Sequence, residues 1–485
     1  MKKYLFLSIL FVNCCTFISG PTPTPPADSA QLVIAVTTAD APINPYLWGF
    51  DDATFRDYSP DDTAALRKID SISPNIICYP TNGVEANWAL NSGTRGYGFD
   101  SSSILAMTKQ LKVTTTCGSL QCLEEMPGNS YQKRNYQSMF TDLSGKLNCP
   151  SIYYANVITQ SGQDAVNFIK LHHPKVVVLG VELFLPNAAP VFPTVSAYMA
   201  DARPIALAIA KYDTSVKIAV QIPSYVPNDR DPQNLTQETW FDSLSKQKWF
   251  SMIAVYQWNT GASSLSSTEP TDSLFAQEMR YDNQFFDSLG SQLAFYHNLG
   301  DKFLVQQAGV DDSKTGNTSI FGGTMVQALH TARYFMWLLN QDKIYAVTYG
   351  GSLISAYPPT TIYTAVHTPP SNINAALSTT ITSKISYLLS AAFHGATLNS
   401  VSIGTVANVY CASVTSGKST IIYIVNYGST ALTRTIKVNG ASPVRVSAEE
   451  YWGTPQSTYS TAHHTISTSN SIVIEPYSVT KVICD

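Results

Sequence analysis

Lys175 to Glu182 reads Lys-Val-Val-Val-Leu-Gly-Val-Glu, an unbroken apolar run that ends on a carboxylate, with Pro186 just beyond. No polar residue alternates through its centre, so it predicts a strand buried on both faces, the habit of parallel sheets. A second run of the same kind, Lys302 to Gly309, reads Lys-Phe-Leu-Val-Gln-Gln-Ala-Gly. In a closed barrel of parallel strands the ends of both runs open into one mouth. One end then carries Glu182 and the other carries Gln307.

Working outward from these two, apolar runs recur at residues 46–50, 75–79, 112–116, 175–180, 217–222, 252–255, 302–305 and 344–348. Stretches of helical spacing separate them. Ser161 and Asp164 make a variant capping box ahead of Ala165, Phe168 and Ile169. Between Thr324 and Leu339 apolar residues fall at Ala328, Leu329, Ala332, Phe335, Met336 and Leu339. Tyr334, Phe335 and Trp337 on that helix read as packing, not as a cofactor box. Eight strands alternating with helices predict an α/β fold, a (β/α)8 barrel over residues 41–395.

From about residue 397 the helical spacing stops. Strand-like runs at 406–414, 420–426, 432–438, 444–451, 471–474 and 479–483 are separated by Gly, Ser, Asn and Pro. They predict an antiparallel β-sandwich over residues 396–485. A further strand within residues 31–40 is expected to join it.

The chain opens with Lys2 and Lys3, an apolar stretch from Tyr4 to Val12, and the small-residue end Ile18-Ser19-Gly20. Residues 1–20 therefore read as a secretory leader, and residues 21–30 as a stiff Pro-rich spacer. Export is the expected destination, and no later stretch is apolar enough to span a membrane. Loss of the leader takes the 30 basic residues to 28, against 34 acidic. That balance argues against nucleic acid or an anionic membrane as the main partner.

Cys14 and Cys15 leave with the leader, so Cys78, Cys117, Cys122, Cys149, Cys411 and Cys484 remain. An even number in an exported chain favours disulfides. Cys411 and Cys484 are predicted to bridge the first and last sandwich strands, Cys117 and Cys122 are close enough in sequence for a local loop, and the pairing of Cys78, Cys117, Cys122 and Cys149 stays open. The Cys117-x4-Cys122 spacing lacks the second pair that zinc requires, so no metal and no cofactor are expected.

This order of elements resembles the clan of retaining glycoside hydrolases that join a catalytic barrel to a C-terminal sandwich, of arabinofuranosidase, glucuronidase and xylosidase type. The resemblance covers nearly the whole mature chain. In that clan the fourth strand ends in Asn-Glu, whose glutamate is the acid/base. Here Val181-Glu182 stands in that place. The seventh strand ends in a Thr-Glu-like pair whose glutamate is the nucleophile, and here the pair is Gln306-Gln307. Tyr256 takes the place of a sixth-strand His. Cys78-Tyr79-Pro80-Thr81-Asn82-Gly83 takes that of an Arg-x-Pro-Gly-Gly-like run, with Asn87 and Trp88 following as in the clan.

The resemblance implies a site with Glu182 at the acid/base position and Gln307 at the nucleophile position. Sugar contacts are implied at Asn87, Trp88, Val181, Tyr256, Trp258 and Tyr349. A retaining mechanism needs one carboxylate to attack the anomeric carbon and a second carboxyl about 5–5.5 Å away to protonate the leaving oxygen. An uncharged amide such as Gln307 is a poor nucleophile. Three readings follow: an exported carbohydrate-binding protein without ordinary retaining hydrolysis, an active glycosidase pairing Glu182 with Asp311, Asp312 or the substrate itself, and a structural surface protein. Aromatics at strand ends stack on sugar faces and also pack against protein, so they fit all three.

Overall fold

The computed structural model describes residues 33–51, 63–79, 136–155, 157, 161–180, 192, 194–221, 232–259, 272–296, 302–310, 321, 323–349, 354–355, 378–379, 381–404, 406–457, 461–467 and 469–485. After strand β1 (Val33–Pro42), eight parallel strands close into a barrel. They are β2 (Gly49–Asp51), β3 (Ile76–Tyr79), β4 (Ser151–Ala155), β5 (Val176–Leu179), β6 (Lys217–Gln221), β7 (Met252–Asn259), β8 (Lys302–Val310) and β9 (Ile344–Tyr349). Around and between them run α1 (Thr63–Ile72), α2 (Tyr136–Lys146), α3 (Gly162–His172), α4 (Val195–Tyr212), α5 (Pro232–Ser245), α6 (Asp272–Tyr296), α7 (Met325–Leu338) and α8 (Ile381–Ser390). A short ladder pairs β10 (Ile354–Ser355) with β11 (Ser378–Thr379).

Strand alternation builds two apolar layers. Val176, Val178, Ala219, Met252, Ala254 and Leu304 fill the barrel interior. Their neighbours Val177, Leu179, Val220, Ile253, Val255 and Val305 pack against the helices. Both faces of each strand are therefore dry, which is why the runs read as continuous and not as alternating. At the closure between β2 and β9, Gly49 is required, because a Cβ there would collide with the carbonyl oxygen of Val347 and with Ile76. Asn44 also ties this seam: its Nδ2 donates to the carbonyls of Ile344 (3.0 Å) and Tyr345 (2.8 Å).

The third barrel strand corrects the sequence reading. It is Ser151–Ala155, fully buried and hydrogen-bonded between β3 and β5. The run at 112–116 lies outside the described residues, and the barrel closes without it. Ser-Ile-Tyr-Tyr-Ala hides as a strand because three of its five residues carry hydroxyls. Tyr154 points to the interior, while Tyr153 turns outward and shares a 2.7 Å hydrogen bond with Thr141 of α2.

The remaining strands form one nine-stranded sheet in the order β17-β16-β19-β14-β13-β12-β1-β15-β18. These are β12 (Thr397–Ser402), β13 (Val409–Ser416), β14 (Ser419–Asn426), β15 (Leu432–Val438), β16 (Val446–Trp452), β17 (Thr461–Ser467), β18 (Ser471–Ile474) and β19 (Ser478–Cys484). β1 sits antiparallel to β12 and parallel to β15, so the sheet is mixed, not purely antiparallel. In β14, Ile422 and Ile424 join the inner core with Val36, Ile436 and Val482. Ile421, Tyr423 and Val425 face the other way, into the layer shared with the barrel helices. Helix α7 lies in that layer, touching β8 on one side and β13, β14 and β19 on the other. All of its residues but Trp337 are consequently buried. Each large apolar side chain so buried contributes about 2 kcal/mol.

The predicted Cys411–Cys484 bridge is not formed: both thiols are free. Cys411 lies on β13 opposite Ile424 and Cys484 lies on β19 opposite Thr420, so β14 runs between them. Two strand spacings are about 9.6 Å, beyond the roughly 7 Å limit for bridged Cα atoms. Burial pushes the thiol of Cys411 up to about 11 and that of Cys484 to about 12, which keeps both protonated and unreactive. Cys117 and Cys122 lie outside the described residues.

Candidate functional site

The C-terminal ends of the eight strands define the mouth, and each strand delivers its end differently. β5 stays regular to Leu179, whose carbonyl accepts a 2.7 Å hydrogen bond from the Tyr198 hydroxyl of α4. Gly180 continues it, donating its amide to Ala155 at 3.4 Å. Val181 and Glu182 come next and lie outside the described residues, as do Asn87, Trp88, Asp311 and Asp312. Tyr256 and Trp258 belong to β7 and Gln307 to β8, the sixth and seventh barrel strands, and their side chains are outside the described part.

The backbone of β8 carries a β-bulge at the position of interest. Between β7 and β8 the register passes from Val255↔Val305 to Gln257↔Ala308, so Gln306 and Gln307 together oppose Tyr256 alone. On the other flank Gln306 pairs with Thr348 and Ala308 with Tyr349, which leaves Gln307 as the extra residue. The layers show the consequence. Phe303 and Val305 face the helices at odd positions, and after the bulge Ala308 faces them at an even one. A bulge of this kind bends a strand and re-aims its side chains, and such bulges concentrate beside functional sites.

Behind β7 lies a buried polar network that the sequence reading missed. Gln257 and Asn259 point outward, away from the barrel interior, toward α6 and α7. Gln257 Oε1 accepts a 2.5 Å hydrogen bond from Tyr334. Asn259 Nδ2 reaches Glu278 Oε1 at 3.0 Å and Asp282 Oδ1 at 3.1 Å, all three residues being at most 2% exposed. His330 Nδ1 pairs with the same Asp282 oxygen. The other oxygen of Asp282 accepts from the Tyr427 hydroxyl at 2.6 Å, across from the sheet domain. Burial pushes the Tyr334 and Tyr427 hydroxyls well above the ordinary phenol range, so both remain donors. Next to them Arg333 donates to Asn283 Oδ1 (2.6 Å) and lies 3.6 Å over the Tyr410 ring. Glu278 and Asp282 are thus held behind the strand and do not stand in for a nucleophile in the mouth.

Other positions take definite places. Tyr349 is fully buried on the helix-facing side of β9, its hydroxyl 2.6 Å from Thr331 Oγ1 and its ring against Phe335. In that placement the phenol packs against α7. Cys78, at the position matching an arginine, sits in the apolar barrel interior with Ile152 and Tyr154. Gln221 closes β6 as a buried polar residue on the same alternation as interior Ala219, an amide at the floor of the mouth that no motif marks. No group of three or more His, Cys, Asp or Glu among the described residues could hold a metal ion. Among the same residues no helix is long and apolar enough to cross a membrane.

No family model matches the sequence, and no curated protein does. Solved structures do match in shape. A GH51 arabinofuranosidase from Xanthomonas axonopodis pv. citri superposes with a TM-score of 0.65 at 10% identity, covering 94% of this chain and 100% of its own. AbfB, a family 51 α-L-arabinofuranosidase from Bifidobacterium longum, gives 0.65 at 12% identity, with 93% of this chain and 99% of its own covered. Cel44A, a family 44 endoglucanase from Clostridium thermocellum, gives 0.58 at 10% identity, with coverages of 94% and 99%. At such identities the likeness is one of architecture: the chain has the (β/α)8-barrel-and-sandwich fold of glycoside hydrolases.

Proposed function

We propose that this chain is an exported carbohydrate-binding protein of glycoside-hydrolase form that lacks ordinary retaining hydrolysis. The observation that carries the reading is Gln307. It lies on the seventh barrel strand, as the extra residue of a bulge, and the resemblance assigns it the position at which a retaining hydrolase carries a carboxylate. An amide has no negative charge to attack the anomeric carbon, so the first covalent step has no ordinary nucleophile. Glu182, three positions after the end of β5, is the residue assigned to the acid/base position and retains a sugar-contacting role. Trp88, Tyr256 and Trp258 supply faces on which sugar rings stack.

The fold supports a binding role because the mouth of such a barrel is assembled from several independent loops. The substrates named for the neighbouring structures belong to those proteins, and the sugar bound here is an oligo- or polysaccharide of unassigned composition. The test is retention on immobilised arabinan, xylan, cellulose and agarose, alongside a broad glycan array. Retention that falls about twofold to twelvefold in Trp258→Ala supports the reading, since one aromatic stacking contact is worth about 0.5–1.5 kcal/mol. Wild-type protein that binds none of these glycans overturns it.

A further inference from the structure

Among the places where the sheet domain touches the barrel are the two helices following the strands that carry Tyr256 and Gln307. Asp282 of α6 takes Tyr427, the residue after β14, at 2.6 Å. Tyr427 is itself anchored, its amide donating to the Asn408 carbonyl at 2.8 Å. The β16–β17 loop reaches the start of α7, where the amides of Met325 and Val326 donate to the carbonyls of Ser457 (2.9 Å) and Pro455 (3.3 Å). These amides are among the donors a helix leaves unsatisfied in its first turn. Thr324, the N-cap residue, makes no side-chain cap of its own and donates instead to Phe321.

The contacts continue inward to the strand. Asp282 meets Asn259, the last residue of β7, and Tyr334 of α7 meets Gln257. Along β7 these two outward residues alternate in sequence with Tyr256 and Trp258, so whatever fixes the former also fixes the backbone of the latter. The strand needs such fixing, because the bulge of β8 breaks the regular ladder beside it.

We propose that the C-terminal sandwich is part of the positioning apparatus of the mouth: the link Tyr427–Asp282–Asn259 holds the backbone of β7 and of bulged β8, the strands that carry Tyr256, Trp258 and Gln307. These three link residues are positioning residues. The inference rests on the reading of the mouth as a carbohydrate site, and it assigns the sheet domain a role in that site without requiring it to bind sugar.

Hydrogen exchange on the full chain tests it, comparing wild type with Tyr427→Phe and Tyr410→Phe. Each variant deletes one hydroxyl at the same interface. Tyr410 bonds to Asn283 at 3.0 Å, and Asn283 makes no bond to β7 among those described, so it is the control. Tyr427→Phe should accelerate exchange of the amides at 257–259 and 308–310 about tenfold, the effect of losing one hydrogen bond to a charged group. β5 should stay at its wild-type rate in both variants. Asn259→Ser, which cuts the link at its strand end, should reproduce the pattern. Unchanged exchange in Tyr427→Phe, or equal acceleration in Tyr410→Phe, overturns the proposal. Retention on the glycan that wild type binds best should fall in Tyr427→Phe and not in Tyr410→Phe. A wild type that binds no glycan refutes the carbohydrate reading, while the exchange comparison still decides this one.

Discussion

The two sides of the barrel mouth are built on different principles. On the β5 side the strand is regular, pairs with β4 and β6 without a register shift, and is valine and leucine throughout. The Tyr198 hydroxyl supports it at the Leu179 carbonyl. On the β7–β8 side the register shifts on both flanks of β8, and the strands carry Gln257 and Asn259 into a buried network of carboxylates, His330 and two tyrosines. Unshifted pairing on both flanks keeps the β5 side chains in their two apolar layers, where neighbours of matching size hold the register. A bulge forfeits that guarantee. The comparison teaches that in this barrel the buried carboxylate network lies behind the strand pair whose register is irregular.

The largest effect expected from this difference is at Asp282. Asp282→Ala strips Asn259, His330 and Tyr427 of a shared acceptor inside the protein, and breaking a buried charged network of this kind costs about 3–5 kcal/mol. The midpoint of urea unfolding measures it. A loss below that of deleting the two methyl groups of one core valine would break the comparison. Such a deletion is Val178→Ala on the regular strand, expected to cost about 2 kcal/mol through a small cavity in the barrel interior. That variant should leave exchange on β8 unchanged.

Tyr334→Phe isolates one anchor. Removing the hydroxyl that donates to Gln257 should cost about 1 kcal/mol and loosen the β7 end selectively. The sandwich supplies a counter-case that sharpens the rule. Glu450 is a buried carboxyl on β16, a strand whose pairing to β19 is regular. Burial raises its pKa, with Thr480 Oγ1 (2.6 Å) and the Glu475 amide (2.9 Å) opposing the rise from one oxygen. A carboxyl raised in the folded state supports the fold while protonated. Its contribution is complete below the ordinary value of 4.5 and is lost as pH rises through the raised value. Glu450→Gln, which keeps an accepting oxygen, should flatten that part of the pH dependence of the unfolding midpoint. An unaltered pH profile would show that Glu450 titrates as an ordinary surface acid.

Much of this architecture was legible before any coordinates. Runs such as Lys175–Gly180 and Lys302–Val305 announce themselves because strands dry on both faces must be apolar throughout. Ser151–Ala155 did not, since its tyrosines bury rings while spending hydroxyls on neighbours such as Thr141. The edge strand Thr461–Ser467, with His463 and His464 exposed, has no apolar signature to read. Within the site, the bulge at Gln307 is one extra residue and alters no composition. Gln257 and Asn259 look like ordinary polar positions because their partners lie 77, 19 and 23 residues away. The Cys411–Cys484 expectation failed for a related reason: membership of one sheet says nothing of adjacency until the strand order is known.

The central claim is that a neutral residue at the nucleophile position silences retaining chemistry in a mouth that still holds sugar. Release of nitrophenol from a panel of α- and β-nitrophenyl glycosides, compared between wild type and Glu182→Gln, tests it most directly. Both proteins should run at the buffer rate, and Gln307→Glu should regain only weak turnover, with Val181→Asn needed beside it. Robust wild-type turnover that disappears in Glu182→Gln would contradict the account and make this chain an active glycosidase with an unconventional partner for Glu182.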